Sequence, residues 1–212
     1  MKRIEGESIV LRDLMPSDAA GYAALCADPA LRRVLTEWED PLEGESLPAL
    51  EDLIAQAQAA SDWRAPRRLA IALRGTDEIV GLVGVGEHPD LFETELVYGL
   101  LDACRGRGYT KEAVTLASDA FLRCEGLPYL ILTAADGDGP AFRVAEKCGF
   151  LLYERRVRVG RRLTAMSPAE RKALMRYMAA EGYSPGLLRR LFDARERSYC
   201  ESLVQSYKRS LA

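Results

Sequence analysis

Cys104-Arg105-Gly106-Arg107-Gly108-Tyr109-Thr110-Lys111-Glu112-Ala113 follows a strand-like run and opens an amphipathic helix, the order in which a backbone cradle for a pyrophosphate is built. Gly106 and Gly108 let the main chain bend back and approach a ligand closely, so that successive N–H groups and the positive helix end converge on negative oxygens. Arg105 and Arg107 add charge that pairs with phosphate. Downstream, Ala113, Leu116, Ala117, Ala120 and Phe121 recur at helical period on one apolar face. Upstream, residues 93–101 alternate as a strand, with Leu96, Tyr98 and Leu100 on one face and Glu95, Val97 and Gly99 on the other. The loop lacks the Lys-Ser/Thr ending of a P-loop and the third glycine of a dinucleotide fingerprint, which argues against a nucleotide triphosphatase or a Rossmann oxidoreductase. A solvated, glycine-rich turn would satisfy the same ten residues, so the surrounding pattern decides between them.

That pattern is Arg105-x-x-Gly108-x-Thr110 after a Glu-Leu-Val-Tyr strand, then Arg143-Val-Ala-Glu-Lys-Cys-Gly-Phe150. It resembles the GNAT superfamily of acyl-CoA-dependent N-acyltransferases, and within it the ribosomal-protein N-terminal acetyltransferase branch. Ile9-Val-Leu-Arg-Asp-Leu14 with Ser17-Asp18, and a hairpin over residues 69–85 turning at Gly75-Thr-Asp-Glu78, look like the same branch, so the resemblance spans roughly residues 4 to 158. It implies that loop amides hold the pyrophosphate of acetyl-CoA and that the preceding strand splays from its neighbour to admit the pantetheine arm. Carried onto this chain, it implicates Arg105, Gly106, Arg107, Gly108, Tyr109 and Thr110 for phosphate, Tyr98 and Leu100 along the arm, and Asp138 and Phe142 at the next helix. Three positions depart from the family's pattern. Thr110 stands where Gly or Ala is usual, Asp138 stands where the branch has Asn, and Ala141 removes a hydroxyl often proposed to protonate the departing thiolate. Ala145 also occupies the position of a tyrosine that many other members use as an acid.

The 212 residues suit one domain of about 150 residues with an appendage. Strands are expected at 9–14, 69–74, 79–86, 93–101, 129–134 and 150–159, and helices at 17–28 and 46–61 between them. These elements imply a mixed α/β sheet, and the resemblance implies a GNAT-like α/β fold, mostly antiparallel with flanking helices, over residues 1–159. Pro140 suits a first helical turn, Asp138 or Gly139 a cap, and Gly149 a helix end. Residues 160–212 read as a helical C-terminal extension. Ser167-Pro168-Ala169-Glu170 and Ser184-Pro185 are start signals, with apolar stripes at Leu187, Leu188, Leu191 and Phe192 and at Leu203, Val204, Tyr207 and Leu211. The family normally ends with another strand there, and the sequence presents no convincing one.

Residues 155–212 hold 14 Lys/Arg against 5 Asp/Glu, a local +9, which leaves −12 for residues 1–154 within the net of −3. With few aromatics interleaved, docking on the acidic body of its own chain, or of a second copy through the C-terminal helices, is favoured over nucleic-acid binding. No apolar run approaches a membrane span and the start lacks a signal-peptide core, so the expected setting is cytoplasmic with no membrane partner. The five cysteines, Cys26, Cys104, Cys124, Cys148 and Cys200, are odd in number and lack zinc-site spacing. They read as reduced thiols in packed positions, and no metal is expected.

The reaction implied is direct attack of a neutral amine, a peptide N-terminus or small amine, on the acetyl thioester. It needs proximity, an N–H donor for the oxyanion and a route for the amine proton. Glu95 is the candidate catalytic residue for drawing off that proton, against the plainer reading of a carboxylate on a solvated strand face. Trp38 and Glu39, in the acidic stretch Glu37-Trp38-Glu39-Asp40, are candidates for attracting and stacking a cationic acceptor; solvated loop acids are the plainer reading. His88 reads as a loop histidine without a role, and Tyr153 either as a thiolate donor or as a packed or exposed residue. Altered Asp138 and Ala141 leave an alternative, an acyl-CoA-binding sensor or interaction module without turnover.

Overall fold

The computed structural model describes residues 3–28, 31, 47–59, 67–87, 93–124, 127–135, 138–160 and 199–209, with the backbone alone for residues 87, 124, 135, 154–160 and 199–208. Strands β1 (Arg3–Glu5), β2 (Ile9–Asp13), β3 (Arg67–Leu73), β4 (Ile79–Glu87), β5 (Thr94–Leu100), β6 (Leu130–Ala135), β7 (Leu151–Gly160) and β8 (Tyr199–Arg209) form one sheet among the described residues, in the order β1-β2-β3-β4-β5-β6-β8-β7. Neighbours are antiparallel except β5 and β6, which run parallel. Helices α1 (Ala19–Ala27) and α2 (Leu50–Ala59) cover one face, while α3 (Tyr109–Cys124) and α4 (Gly139–Lys147) cover the other.

The strand alternation creates the two layers. On β3, Leu69 and Ile71 point into a core with Ala113, Val114, Ala117, Phe121 and Phe150, whereas Ala70 and Ala72 face Tyr22, Leu25, Leu50 and Leu53. The helical stripe that opens at Ala113 is the buried face of α3, with Ala113, Ala117 and Phe121 essentially inaccessible. A buried ion pair fastens β2 to the residue that caps α1. The Arg12 guanidinium donates two hydrogen bonds of 2.8 Å to the Asp18 carboxylate, which also accepts the Met15 amide at 2.8 Å. Burial pushes the Asp18 carboxyl upward, but the hydrogen bonds from Arg12 and the Met15 amide, with the Arg12 charge, outweigh it and leave Asp18 below the ordinary carboxylate range.

The end of the chain departs from expectation. The stripe Leu203, Val204, Tyr207 belongs to a strand, β8, inserted between β6 and β7, with Leu132 and Leu152 both in register with Tyr207. Apolar residues at i, i+1 and i+4 fit a helix period and a buried strand alike, and pairing with two strands remote in sequence settled the choice. The family's closing strand, which the sequence did not announce, is therefore present. Arg209 anchors it: its guanidinium pairs with Asp119 on α3 at 2.7 Å, donates to the Ser118 hydroxyl and lies 5.9 Å from the Phe150 ring centre. The helices expected after Ser167 and Ser184, Leu211, and any pairing of two copies through those helices lie outside the described residues.

Candidate active site

The parallel pair β5 and β6 meets at one registered position, Glu95 opposite Ile131. Beyond it, β5 stays zipped to β4 through Leu100, and β6 to β8 through Ala135. Residues 96–100 therefore turn one backbone edge toward a widening gap. Both helices that follow these strands, α3 and α4, begin at the open end, so two positive helix termini face the mouth of the fork. The splay expected of the strand before the glycine loop is thus present.

Between β5 and α3 the chain makes a 3-10 turn at Asp102–Cys104 and then enters the glycine loop. Gly106 and Gly108 have φ of 76° and 84°, a left-handed region that side chains resist. A Cβ at either position would meet nothing within 4 Å, so the loop surface is open to a ligand. Among the described residues, the amides of Gly106, Arg107 and Gly108 find no protein acceptor, while Gly108 already receives the Glu112 amide at 3.1 Å as α3 begins. Exposed, unpaired N–H groups beside a helix N-terminus suit an anion. Arg107 is exposed; Arg105 reaches back across the turn, to the Asp102 carboxylate at 3.0 Å and the Leu100 carbonyl at 3.3 Å.

Tyr98, Tyr109 and Phe142 are partly buried at the rim of the α3/α4 core, and Thr110 is half-buried in the first turn of α3. The Leu100 side chain is itself in that core, so what it offers the gap is backbone. Burial first, then the negative charge of Asp138, holds the Tyr98 phenol well above its ordinary range, so it remains a neutral hydroxyl. Asp138 caps α4, accepting the Ala141 amide at 3.1 Å, with Pro140 in the first turn. Gly149, at φ 80°, ends the helix. Ala145 is fully buried, in the place where a tyrosine would need new space.

Glu95 is not on a solvated face. It is completely buried on the side of the sheet that α1 and α2 cover, at the crotch of the fork, and its carboxylate accepts the Thr133 hydroxyl of β6. The register carries it there: Gly86 opposite Glu95 and Gly84 opposite Val97 leave β4 without side chains beside it on that face. Thr133 had drawn no notice in the sequence, although a single polar residue in the apolar run Leu130-Ile-Leu-Thr-Ala-Ala135 is the available signal. Tyr153 does not reach the fork. It is 54% exposed on β7, an outer strand that β8 separates from β6. Cys26 and Cys104 are half-buried free thiols, and Cys148 is buried, its thiol donating to the Lys111 carbonyl at 3.5 Å and pushed upward by burial. Trp38, Glu39 and His88 lie outside the described residues. Among the described residues, no three His, Cys, Asp or Glu side chains cluster as metal ligands, and no helix is long and apolar enough to cross a membrane.

Residues 8–151 match the family model described as an acetyltransferase (GNAT) domain. The mycothiol acetyltransferase of Corynebacterium glutamicum is 36% identical over 104 residues, covering 49% of this chain and 35% of that protein. The chain spans about a third of the length of the curated relatives it matches. In fold, it is similar to a putative ribosomal-protein-serine acetyltransferase from Vibrio cholerae, with a TM-score of 0.58 and 18% identity over 100% of both chains. It is likewise similar to spermidine N-acetyltransferase of Vibrio cholerae, solved with CoA and spermine, with a TM-score of 0.57 and 16% identity over 97% of this chain and 96% of that one.

Proposed function

Because the chain belongs to the GNAT acetyltransferase domain family, we propose that it moves an acetyl group from acetyl-CoA to a primary amine, a peptide N-terminus or a small amine, by direct attack. The observation that carries this reading is the fork between β5 and β6 with unpaired glycine-loop amides at its mouth. The amides of residues 106–110 and the Arg107 side chain take the pyrophosphate, charge-assisted contacts of the kind that make strong hydrogen bonds. The free edge of residues 96–100 receives the amides of the pantetheine arm as a strand would, with Tyr98 and Phe142 beside it. The acetyl carbonyl then comes to rest near the crotch, where backbone N–H groups of the splayed edge stabilise the oxyanion.

Glu95 takes the proton that the attacking amine must lose, directly or through water, from the α1/α2 side of the sheet. An α-amine, with an ordinary pKa of about 7.7 to 8, is largely ready to attack near neutrality, so one carboxylate suffices. The thiolate can leave without an obligatory acid, since an ordinary thiol ionises near pH 8.5. This accommodates Ala141 and Ala145, which supply no acid. The ribosomal-protein N-terminal branch is the reading we favour for the acceptor, with Trp38 and Glu39 drawing in the cationic amine. A cytoplasmic setting fits the free Cys26, Cys104 and Cys148.

The test is a thiol-release assay with acetyl-CoA against panels of peptides and polyamines, run beside a thermal-shift titration. Acceptor-dependent thiol release supports the enzyme. A thermal shift with no release from any acceptor supports instead a CoA-binding sensor, which the Asp138 carboxylate beside an anion site favours, and neither response refutes both.

A further inference from the structure

Thr133 stands on β6 two residues beyond Ile131, the last point at which β5 and β6 are in register. Paired strands share faces, so Thr133 and Glu95 both project to the α1/α2 side, while Leu130 and Leu132 enter the opposite core. The Thr133 hydroxyl donates to the Glu95 carboxylate across the first step of the gap. Glu95 is completely buried and Thr133 half-buried. Each hydrogen bond donated to a buried carboxylate favours its ionised form, and only that form can accept a proton.

We propose that Thr133 is a positioning residue for the acetyl transfer: its hydroxyl helps to hold the Glu95 carboxylate at the crotch of the fork as the proton acceptor. The inference rests on Glu95 serving as the base. Removing this donor takes one hydrogen bond from the ionised carboxylate and so favours its protonated form, and the enzyme should then need a higher pH to reach full turnover. Thr133→Val keeps the branched shape and removes the hydroxyl, whereas Thr133→Ser keeps the hydroxyl.

The experiment compares kcat against pH for the native chain, T133V, T133S, E95Q and the E95Q/T133V double variant, with melting temperatures measured alongside. T133V should lower kcat at neutral pH by roughly tenfold, as expected for losing a hydrogen bond to a charged group, and move the acid limb of the profile to higher pH. T133S should restore both features, and T133V should have no further effect on top of E95Q, because the two act as one unit. A T133V profile unchanged in height and position overturns the proposal, as does a lower kcat with an unmoved acid limb, which marks a purely structural role. If E95Q itself lowers turnover by less than about threefold, the Glu95 reading fails, and the role of Thr133 falls with it on that separate measurement.

Discussion

Replacing Gly106 and Gly108 together by alanine separates binding from folding in a way few changes here can. Both glycines occupy the left-handed region, where an L side chain costs about 1–2 kcal/mol per residue. A methyl group at either position meets no atom within 4 Å, so no packing penalty adds to that strain. The folded protein should therefore lose about 2–4 kcal/mol at most, and less if the loop relaxes, because it packs on nothing. Relaxation, however, rotates the amides of residues 106–108 away from the fork. Each hydrogen bond to a charged oxygen contributes about 1.5–3 kcal/mol, so misdirecting one weakens coenzyme A binding by about 10- to 150-fold. Titration calorimetry with coenzyme A and a thermal melt read the two effects separately. Unchanged affinity in a variant with the expected modest melting shift would refute the view that these amides hold the diphosphate.

Three further outcomes follow from the packing. Asp18→Asn leaves the buried Arg12 with Asp77 as its remaining carboxylate partner and should destabilise the fold by about 3 kcal/mol in urea melts at pH 7. Since the folded state lowers the Asp18 pKa, its contribution is complete above the unfolded value and fades as pH falls through the folded one, so the difference between native and D18N should narrow in acid. Arg209→Ala removes the pair with Asp119, the donation to Ser118 and the approach to Phe150. With Asp119 39% exposed, the loss should be about 1–2 kcal/mol, read as earlier hydrogen exchange in β8. Phe121→Ala opens a cavity in the α3 core and should cost about 3–5 kcal/mol by denaturant melt.

Local chemistry made most of the scaffold legible. Gly106, Gly108 and Gly149 are needed where the backbone turns left-handed, Asp138 and Pro140 start α4, and the alternation along residues 93–101 survives as β5. What escaped was decided by distant partners. Tyr199–Arg209 follows no unambiguous period, and its strand identity comes from β6 and β7 on either side. The direction of Glu95 was likewise hidden, because alternation fixes which residues share a face but not which face meets water. Its burial depends on α1, α2 and two glycines of β4, and Thr133 gains meaning only when a parallel neighbour brings it alongside. Leu100 shows the reverse case: the residue is placed at the fork as read, yet its side chain serves the core.

The most direct test of the central claim is a two-dimensional 15N NMR titration of the native chain with coenzyme A. Saturable shifts concentrated in the amides of residues 96–110 and at the start of α4, with β1 and β2 unmoved, are the predicted result. Saturable shifts confined to other elements, or no shifts at all, would contradict it.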